Sequence, residues 1–200
     1  MKKNYNFEEV FIHESSYVDQ NVKIGEGTKI WHFSHILKNS KIGRDCTVGQ
    51  NVCIGPNVII GKEVKIQNNV SIYDGVTLED NVFCGPSCVF TNDKYPRSRL
   101  KNSKETWLKT QVKRGATLGA NCTIVCGVTI GSFSLVAAGT VILKNIPDYA
   151  LMAGVPGKQI GWVSEYGEKL DLPLIGNAQA LCKYTNQKYQ LKDDKVNRVT

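Results

Sequence analysis

A six-residue repeat of apolar side chains runs through the first half of this chain. Every sixth residue from Ile12 to Phe90 is apolar, which gives fourteen successive positions. The residue four places after each of these, from Ser16 to Cys88, is small or β-branched. A period of six matches neither an amphipathic helix nor an ordinary alternating strand. It is typical of a β-helix, in which each hexad forms a short strand and a corner and the coils stack their apolar positions on one another.

The repeat is interrupted once and then resumes in a new phase. The later apolar positions are Val112, Leu118, Ile124, Ile130, Val136 and Ile142. The step from Phe90 to Val112 is 22 residues, which is not a multiple of six, so part of this stretch must leave the coil. We predict a loop at residues 91–111, a polar and basic segment. Long loops on a regular scaffold commonly carry function, and a disordered insertion is the alternative.

Length and composition indicate one elongated domain. The chain has 200 residues, of which 42% are hydrophobic, and no apolar run approaches the length of about 18 residues that spans a membrane. We predict an all-β fold with a parallel β-helix at residues 12–147, a lead-in at 1–11, and a C-terminal cap and tail at 148–200. The first residues lack the apolar stretch of a signal peptide, so a cytoplasmic location is expected.

The cysteines are predicted to be reduced residues of the core. Cys46, Cys88 and Cys122 occupy the small inward position of their hexads, and Cys84 occupies the large one. The chain has seven cysteines, an odd number, and none is spaced as a CxxC pair. This pattern favours core packing over a disulfide framework or a metal site.

The charge of the chain indicates an anionic partner. The formal net charge is +7 and the pI is about 9.0. Basic residues concentrate in the predicted loop and the C-terminal segment, without the interleaved aromatic residues of a nucleic-acid groove. A phosphorylated small molecule is therefore favoured, and a nucleotide sugar and coenzyme A both qualify. Neither nucleic acid nor a membrane is expected as a partner.

The segment after the last hexad resembles part of a known family. Residues 154–158 read Gly-Val-Pro-Gly-Lys, similar to the segment with which hexapeptide acyltransferases close a left-handed β-helix and hold coenzyme A. The longer similar stretches are residues 30–35, 64–74, 83–87, 90–92, 115–125 and 160–167. They resemble the enzymes that acetylate the 3-amino group of UDP-2-acetamido-3-amino-2,3-dideoxy-glucuronate for bacterial surface polysaccharide, such as the O-antigen of lipopolysaccharide.

This resemblance implies a left-handed β-helix and an N-acyltransferase. It implies acetyl-CoA as co-substrate without a metal, a nucleotide-linked amino sugar as acceptor, and a homotrimer with sites between subunits. Residues 92–98 depart from the uronate enzymes. They look more like the transferases that act on dTDP-3-amino-3,6-dideoxyhexoses, so a dTDP sugar is kept as the alternative substrate.

Histidine is the usual base for acyl transfer, but the coil geometry argues against it here. Forming an amide from a thioester requires a positioned neutral amine, a donor for the oxyanion and a destination for the proton. Three hexads make one coil, so His35 lies (92−35)/18, or about three coils, below Asn92. At about 4.8 Å per coil that is about 15 Å. We therefore assign His32 and His35 to the nucleotide end of the substrate, or to structural corners.

Asn92 and Asp74 are the predicted catalytic residues. They are 18 residues apart and therefore fall on the same corner of successive coils. The amide of Asn92 can accept a hydrogen from the sugar amine while Asp74 steadies that amide, and the proton then passes to the departing thiolate. The family resemblance points to the same asparagine. The structural alternative for Asn92 is an Asx-turn that ends a strand.

The remaining predicted contacts divide between the two substrates. Those assigned to the sugar nucleotide are Gln67, Asn69, Tyr73, Lys94 and Arg97, with surface solvation as the alternative for the two cations. Those assigned to coenzyme A are Gly119, Ala137, Ala138, Lys144, Pro156 and Lys158, where small residues also suit a tight corner.

Two other classes of protein remain as remote alternatives. A zinc hydratase on a hexapeptide helix needs three histidines that meet between subunits, and the spacing of His13, His32 and His35 does not offer that geometry. A non-catalytic scaffold should present a flat, regular face of threonines. This chain instead interrupts its repeat with a basic loop.

Overall fold

A computed structural model describes residues 9–99 and 107–199. Within them twenty short strands form the coils: β1 (Phe11–Ile12), β2 (Tyr17–Val18), β3 (Lys23–Ile24), β4 (Lys29–Ile30), β5 (His35–Ile36), β6 (Lys41–Ile42), β7 (Thr47–Val48), β8 (Cys53–Ile54), β9 (Ile59–Ile60), β10 (Lys65–Ile66), β11 (Ser71–Ile72), β12 (Val76–Leu78), β13 (Phe83–Cys84), β14 (Val89–Phe90), β15 (Thr110–Val112), β16 (Thr117–Leu118), β17 (Thr123–Ile124), β18 (Thr129–Ile130), β19 (Leu135–Val136) and β20 (Val141–Ile142). Six more strands follow: β21 (Ala150–Ala153), β22 (Lys158–Val163), β23 (Lys169–Leu170), β24 (Ala178–Leu181), β25 (Lys188–Lys192) and β26 (Lys195–Val199).

The coil strands build three parallel sheets. Sheet 1 contains β1, β4, β7, β10, β13, β16 and β19; sheet 2 contains β2, β5, β8, β11, β14, β17 and β20; sheet 3 contains β3, β6, β9, β12, β15 and β18. The chain turns at corner 1 between sheets 1 and 2, at corner 2 between sheets 2 and 3, and at corner 3 between sheets 3 and 1. This architecture confirms the all-β hexapeptide β-helix predicted from the period of six. No described residue lies in a helix that is long and apolar enough to cross a membrane.

Asparagine residues make many of the corners possible. Each coil must turn sharply three times, and many corner residues adopt a left-handed backbone, with φ of 62° at Asn39, 58° at Asn57 and 63° at Asn69. Asparagine tolerates this conformation better than most other residues with a side chain. The sequence therefore encodes corners as well as strands.

The core is a stack of the predicted apolar positions. From Ile30 to Ile142 every one of them is no more than 4% exposed, the largest value being that of Ile42. Buried hydroxyls at the small inward positions tie the coils together. Ser34 Oγ, for example, donates to the Gly49 carbonyl at 2.9 Å and accepts the Val52 backbone N–H at 3.1 Å. Stacking therefore buries apolar surface and also gives the buried polar groups their hydrogen-bond partners.

The insertion leaves the coil at corner 2, between sheet 2 and sheet 3. Paired residues are 18 apart before it, as in Thr77↔Ile59, and 34 apart across it, as in Val76↔Thr110, so 16 extra residues are inserted. One hexad plus these 16 residues accounts for the 22-residue step in the sequence. Asp93 and Trp107 pair at the base of the insertion.

The insertion is narrower than the predicted loop at 91–111. Thr91 still donates its backbone N–H to the next coil, and Leu108 donates to the Asn92 carbonyl at 3.0 Å. Thr110 begins β15. The residues at both ends of the predicted loop are therefore part of the coil, because the ladder hydrogen bonds continue as far as Thr91 and the Leu108–Asn92 bond closes the base of the insertion. Residues 100–106 of the loop and 1–8 of the lead-in lie outside the described residues.

The C-terminal segment caps the last coil. β21 joins sheet 1 beside β19, and β22 and β23 follow antiparallel. β24, β25 and β26 form a separate antiparallel sheet. Glu165 ties this sheet to the coil, since it accepts from Arg198 Nη1 at 2.8 Å and from the Tyr149 hydroxyl at 3.1 Å, while its N–H donates to the Tyr189 hydroxyl at 2.9 Å.

Candidate functional site

Asn92 stands at corner 2, where the insertion begins. It is half-buried, and its side chain makes no hydrogen bond to any other described residue. The Asx-turn that was its structural alternative is made instead by Asp93, whose Oδ1 accepts the Tyr95 backbone N–H at 2.9 Å. The Asn92 amide is thus not used by the turn that starts the insertion, and it remains available to a ligand.

Asp74 occupies the equivalent place one coil below. β11 and β14 precede the two residues, and Ser71 pairs with Val89 in that ladder. This ladder contains one pair, whereas the flanking ladders of sheet 2 contain two. The coils are therefore less tightly joined beside Asp74 and Asn92. Asp74 Oδ2 accepts a hydrogen from Asn57 Nδ2 at 3.2 Å, and the neighbouring Tyr73 is 44% exposed.

The predicted cations of the insertion are exposed. Arg97 Nη1 donates to the carbonyl of Pro96 at 2.8 Å, and Lys94 Nζ lies 5.4 Å from the centre of the Tyr95 ring. Both cations therefore contact only their own segment within the described residues. Their position beside Asn92 suits an anionic group of a substrate better than a role in stabilising the coil.

Several of the other predicted site residues lie at corner 1, on the opposite edge of sheet 2. Those residues are His32, Gln67, Asn69, Gly119, Ala137 and Ala138. Asn69 has a left-handed backbone and accepts from Asn51 Nδ2 at 3.0 Å, so it belongs to a ladder of corner amides. A Cβ on Gly119 would lie 2.5 Å from the backbone nitrogen of Ala138, so coil stacking alone requires glycine there. Within one chain, these residues are not brought together with Asn92.

The three histidines cluster near the N-terminal end of the solenoid. The rings of His13 and His32 stack with their centroids 3.5 Å apart, and His35 Nε2 lies 2.8 Å from Asp19 Oδ1. This hydrogen bond lowers the pKa of Asp19. β5, which begins at His35, is three strands from β14 in sheet 2, or about 14 Å at the usual strand spacing. Among the described residues no group of three or more His, Cys, Asp or Glu is arranged to hold a metal ion.

The predicted coenzyme segment lies on the last coil. Lys144, Pro156 and Lys158 are all exposed. The Gly157 backbone N–H donates to the Val141 carbonyl at 2.8 Å, so the segment folds back on β20. Below it, the buried hydroxyl of Thr140 has no hydrogen-bond partner among the described residues.

The cysteines occupy the core as predicted. Cys46, Cys84, Cys88 and Cys122 are each no more than 1% exposed, and none of the seven forms a disulfide. A hydrogen bond with Cys88, together with burial, raises the pKa of the Cys122 thiol. The Cys122 thiol therefore stays protonated and contributes packing rather than reactivity.

Two features near these residues were missed by the sequence analysis. One is Asn57, whose contact with Asp74 was signalled by their separation of 17 residues, one short of the 18-residue interval. The other is an exposed aromatic group beside the histidines, in which Phe11 and Trp31 lie 5.4 Å apart and Phe33 is 62% exposed. Its signal was the aromatic residues at outward and corner positions of the first two coils.

Comparison with known proteins identifies the repeat. The family model described as bacterial transferase hexapeptide (six repeats) matches residues 21–56. The model of the hexapeptide repeat of succinyl-transferase matches residues 41–74 and 114–144, on either side of the insertion. The chain is a hexapeptide-repeat β-helix.

Relatives of this hexapeptide-repeat β-helix include several transferases. It is 41% identical over 95 residues to dTDP-3-amino-3,6-dideoxy-alpha-D-galactopyranose 3-N-acetyltransferase of Aneurinibacillus thermoaerophilus, a match that covers 48% of this chain and 47% of the relative. The chain thus spans about half the length of this curated relative.

Two solved structures share the fold of the hexapeptide-repeat β-helix. One is a mutant of GDP-perosamine N-acetyl transferase from Caulobacter crescentus in complex with CoA and GDP-perosamine, with a TM-score of 0.52, 24% identity, and coverage of 76% of this chain and 56% of that one. The other is the acetyltransferase domain of PglB from Neisseria gonorrhoeae FA1090 in complex with acetyl coenzyme A, with a TM-score of 0.53, 18% identity, and coverage of 76% and 58%.

Proposed function

We propose that this chain catalyses the acetyl-CoA-dependent N-acetylation of a nucleotide-linked amino sugar. The observation that carries the proposal is the half-buried Asn92 amide, which is unpaired within the described residues and lies one coil above Asp74 at the start of a basic insertion. The activity for which the Aneurinibacillus relative is named, 3-N-acetylation of a dTDP-linked amino sugar, supports the same class of reaction.

In the proposed reaction the sugar amine attacks the carbonyl carbon of the acetyl thioester. The C–N bond forms and the C–S bond breaks, which yields the amide and coenzyme A. Asn92 accepts one hydrogen of the neutral amine and leaves the nitrogen lone pair free to attack. The proton lost from nitrogen passes to the departing thiolate, directly or through water, so no histidine base is required. His32 and His35 are proposed to contact the nucleotide end.

The preferred acceptor is UDP-2-acetamido-3-amino-2,3-dideoxy-glucuronate, as the sequence resemblance implies. Its carboxylate needs a cation, and Arg97 and Lys94 are exposed beside Asn92. Gln67, Asn69 and Tyr73 are proposed as further sugar-nucleotide contacts. The second candidate is a dTDP-3-amino-3,6-dideoxyhexose, which the substrate in the name of the Aneurinibacillus relative favours. Either product would serve surface polysaccharide synthesis in the cytoplasm, where both substrates are made.

Acetyl-CoA is proposed to lie along the upper coils. Gly119, Ala137 and Ala138 permit close approach to the backbone at corner 1. Lys144, Pro156 and Lys158 are exposed on the last coil, where the two lysines can face phosphates.

We also propose a homotrimer with its sites between subunits. Within one chain, the candidate residues divide between corner 1 and corner 2 of sheet 2. Threefold packing with parallel axes can bring corner 1 of one subunit against corner 2 of its neighbour and unite the two sets. Light scattering is expected to give the mass of a trimer, and a fully active monomer would contradict the arrangement.

Mass spectrometry of reaction products tests the proposed activity. Acetyl-CoA is incubated with a panel of UDP- and dTDP-linked amino sugars, with Asn92→Ala as the matched control. The expected product is heavier by one acetyl group, and its formation is fastest with the uronate. A higher kcat/KM for the dTDP-3-amino-3,6-dideoxyhexose would reverse the sugar assignment. Absence of acetylation of every sugar would refute the function.

Replacing Arg97 tests the sugar assignment separately. Arg97→Ala is expected to raise KM for the uronate about tenfold, because a charge-assisted hydrogen bond to the carboxylate is lost. KM for an uncharged 3-amino sugar should change less. Equal changes for both sugars would assign Arg97 to the diphosphate instead.

A further inference from the structure

The second residue of a corner can cap the coil below it through its side chain. At corner 1, Asn68 Oδ1 accepts the backbone N–H of Gln50 at 2.8 Å. At corner 3, Asp80 Oδ1 accepts the backbone N–H of Lys62 at 2.9 Å. In both cases the partner is 18 residues earlier, which is the same position in the previous coil. These polar side chains are used by coil stacking and are not available to a ligand.

Asp74 holds the same position at corner 2 but has no such N–H below it. The residue 18 places earlier is Pro56, and proline has no backbone N–H to donate. Asp74 instead accepts from the side chain of the next residue, Asn57, at 3.2 Å. Asn57 is itself held by Asn39, whose Nδ2 lies 3.4 Å from Asn57 Oδ1. The Asp74 carboxylate is therefore held from one side by an amide and is not bound to the coil backbone.

The glycines in the coil below Asn68, Asp80 and Asp74 differ in the same way. A Cβ built on Gly49 would lie 2.6 Å from the capping oxygen at corner 1, and one on Gly61 would lie 2.5 Å from the capping oxygen at corner 3. At corner 2, the three nearest atoms to a Cβ on Gly55 all belong to the backbone, the closest at 2.9 Å. The carboxylate of Asp74 is therefore displaced from the place that the two capping side chains occupy.

We propose that Pro56 and Asn57 are positioning residues that keep the Asp74 carboxylate off the coil backbone, with one oxygen held by Asn57 and the other able to accept from Asn92 when the substrate binds. A carboxylate only accepts hydrogen bonds, so in the proposed substrate complex Asn92 meets it with its NH₂ group and turns its carbonyl oxygen toward the sugar amine. That orientation leaves the amine lone pair pointing at the thioester carbon. The inference rests on the proposed acetyl transfer and deepens it, since it identifies what sets the orientation of the Asn92 amide.

Pro56→Ala tests this inference because it restores the missing N–H with little other change. We expect Asp74 to cap the new donor and to be no longer available to Asn92 in the substrate complex. The expected result is a kcat about tenfold lower with KM for acetyl-CoA unchanged. Pro86→Ala is the matched control: Pro86 also follows a glycine at the second position of a corner, but Ala120 lies above it and has no side-chain acceptor.

Asn57→Gly tests the second proposed positioning residue. Asn57 has φ of 58°, which glycine adopts without strain, so this change removes the donor and keeps the corner. The expected result is again a lower kcat. Asn81→Gly is its control, because Asn81 has φ of 60° and donates to Glu63 Oε2 at 2.7 Å on the distant corner 3. If each variant matches its control in kcat while the wild type is active, the inference is wrong.

Hydrogen exchange separates this inference from the proposed function. In Pro56→Ala the new N–H at position 56 should be protected from exchange, and adding Asp74→Ala should remove that protection. An unprotected N–H overturns the inference whether or not the wild type acetylates a sugar. If no sugar is acetylated, the proposed function fails, and the position of the Asp74 carboxylate is judged by exchange alone.

Discussion

Corner 1 and corner 2 border the same sheet, yet they use their polar side chains differently. At corner 1, Asn68 caps the coil below and Asn51 donates to Asn69, so the amides hold one coil to the next. At corner 2, the Asn92 amide is unpaired within the described residues, and the ladder beside it is reduced to one pair. The repeat builds both corners from the same residue types. A site becomes possible where stacking leaves a polar group unused.

The comparison also explains why the insertion begins at corner 2. A solenoid offers little concavity, so a ligand needs an additional wall, and a loop supplies one without disturbing the stacked core. Here the coils on both sides keep their register once the 16 extra residues are removed. The regular corners therefore provide rigidity, and the interrupted corner is the place proposed for the chemistry.

The largest expected effect is that of Asn92→Ala at corner 2. We expect kcat to fall about tenfold to a thousandfold, because the lost contact is to the reacting amine. Binding of acetyl-CoA, measured by calorimetry, should be nearly unchanged. Asn51→Gly at corner 1 is the control, since its φ of 55° suits glycine. Comparable losses of kcat in both variants would end the distinction between the corners.

A smaller effect is expected from Gly119→Ala, which tests corner 1 as structure. The added Cβ would lie 2.5 Å from backbone nitrogen, so the coil above must shift. We expect a loss of about 1–3 kcal/mol in the free energy of unfolding, measured by thermal denaturation. Gly139→Asn is the control, because that site has φ of 69° and no atom within 4 Å of an added Cβ. An unchanged Tm for Gly119→Ala would contradict the close stacking.

His35→Ala is expected to act on binding rather than on chemistry. KM for the sugar nucleotide should rise a few-fold, because β5, which begins at His35, lies three strands from β14, which precedes Asn92, and His35 is proposed to meet the nucleotide end. Steady-state kinetics at saturating substrate measure the separate effect on kcat. Abolished turnover under those conditions would show that a histidine base acts in the reaction and that the coil-height argument is wrong.

The smallest expected effect is on acid stability. The hydrogen bond from His35 lowers the pKa of Asp19 in the folded chain below its unfolded value. The resulting stabilisation is present above the ordinary aspartate pKa of about 3.9 and is lost as the pH falls through the folded value. His35→Ala should therefore lower Tm by about 1–2 °C near pH 6 and have less effect near pH 3. A larger change in Tm at pH 3 than at pH 6 would contradict the stated direction of the pH dependence.

The fold could be predicted from the sequence because every coil repeats the same short pattern of residues. The apolar residue of each hexad must lie inside, whatever the rest of the chain does, and the small residue four places later must lie at a crowded corner. The loop boundaries were less accurate. Hydrogen bonds of the ladder continue past the last apolar position to Thr91, and the period of apolar residues carries no signal for them.

The sequence by itself determined the solenoid, the presence of an insertion and the 18-residue relation between Asp74 and Asn92. Only the tertiary structure decided which polar atoms the coils use. Asn68, Asp80 and Asp74 occupy equivalent positions in the repeat; the first two cap the backbone, whereas Asp74 accepts from the side chain of Asn57. The physical reason is a single absent N–H at Pro56, whose effect exists only once the next coil is stacked above it.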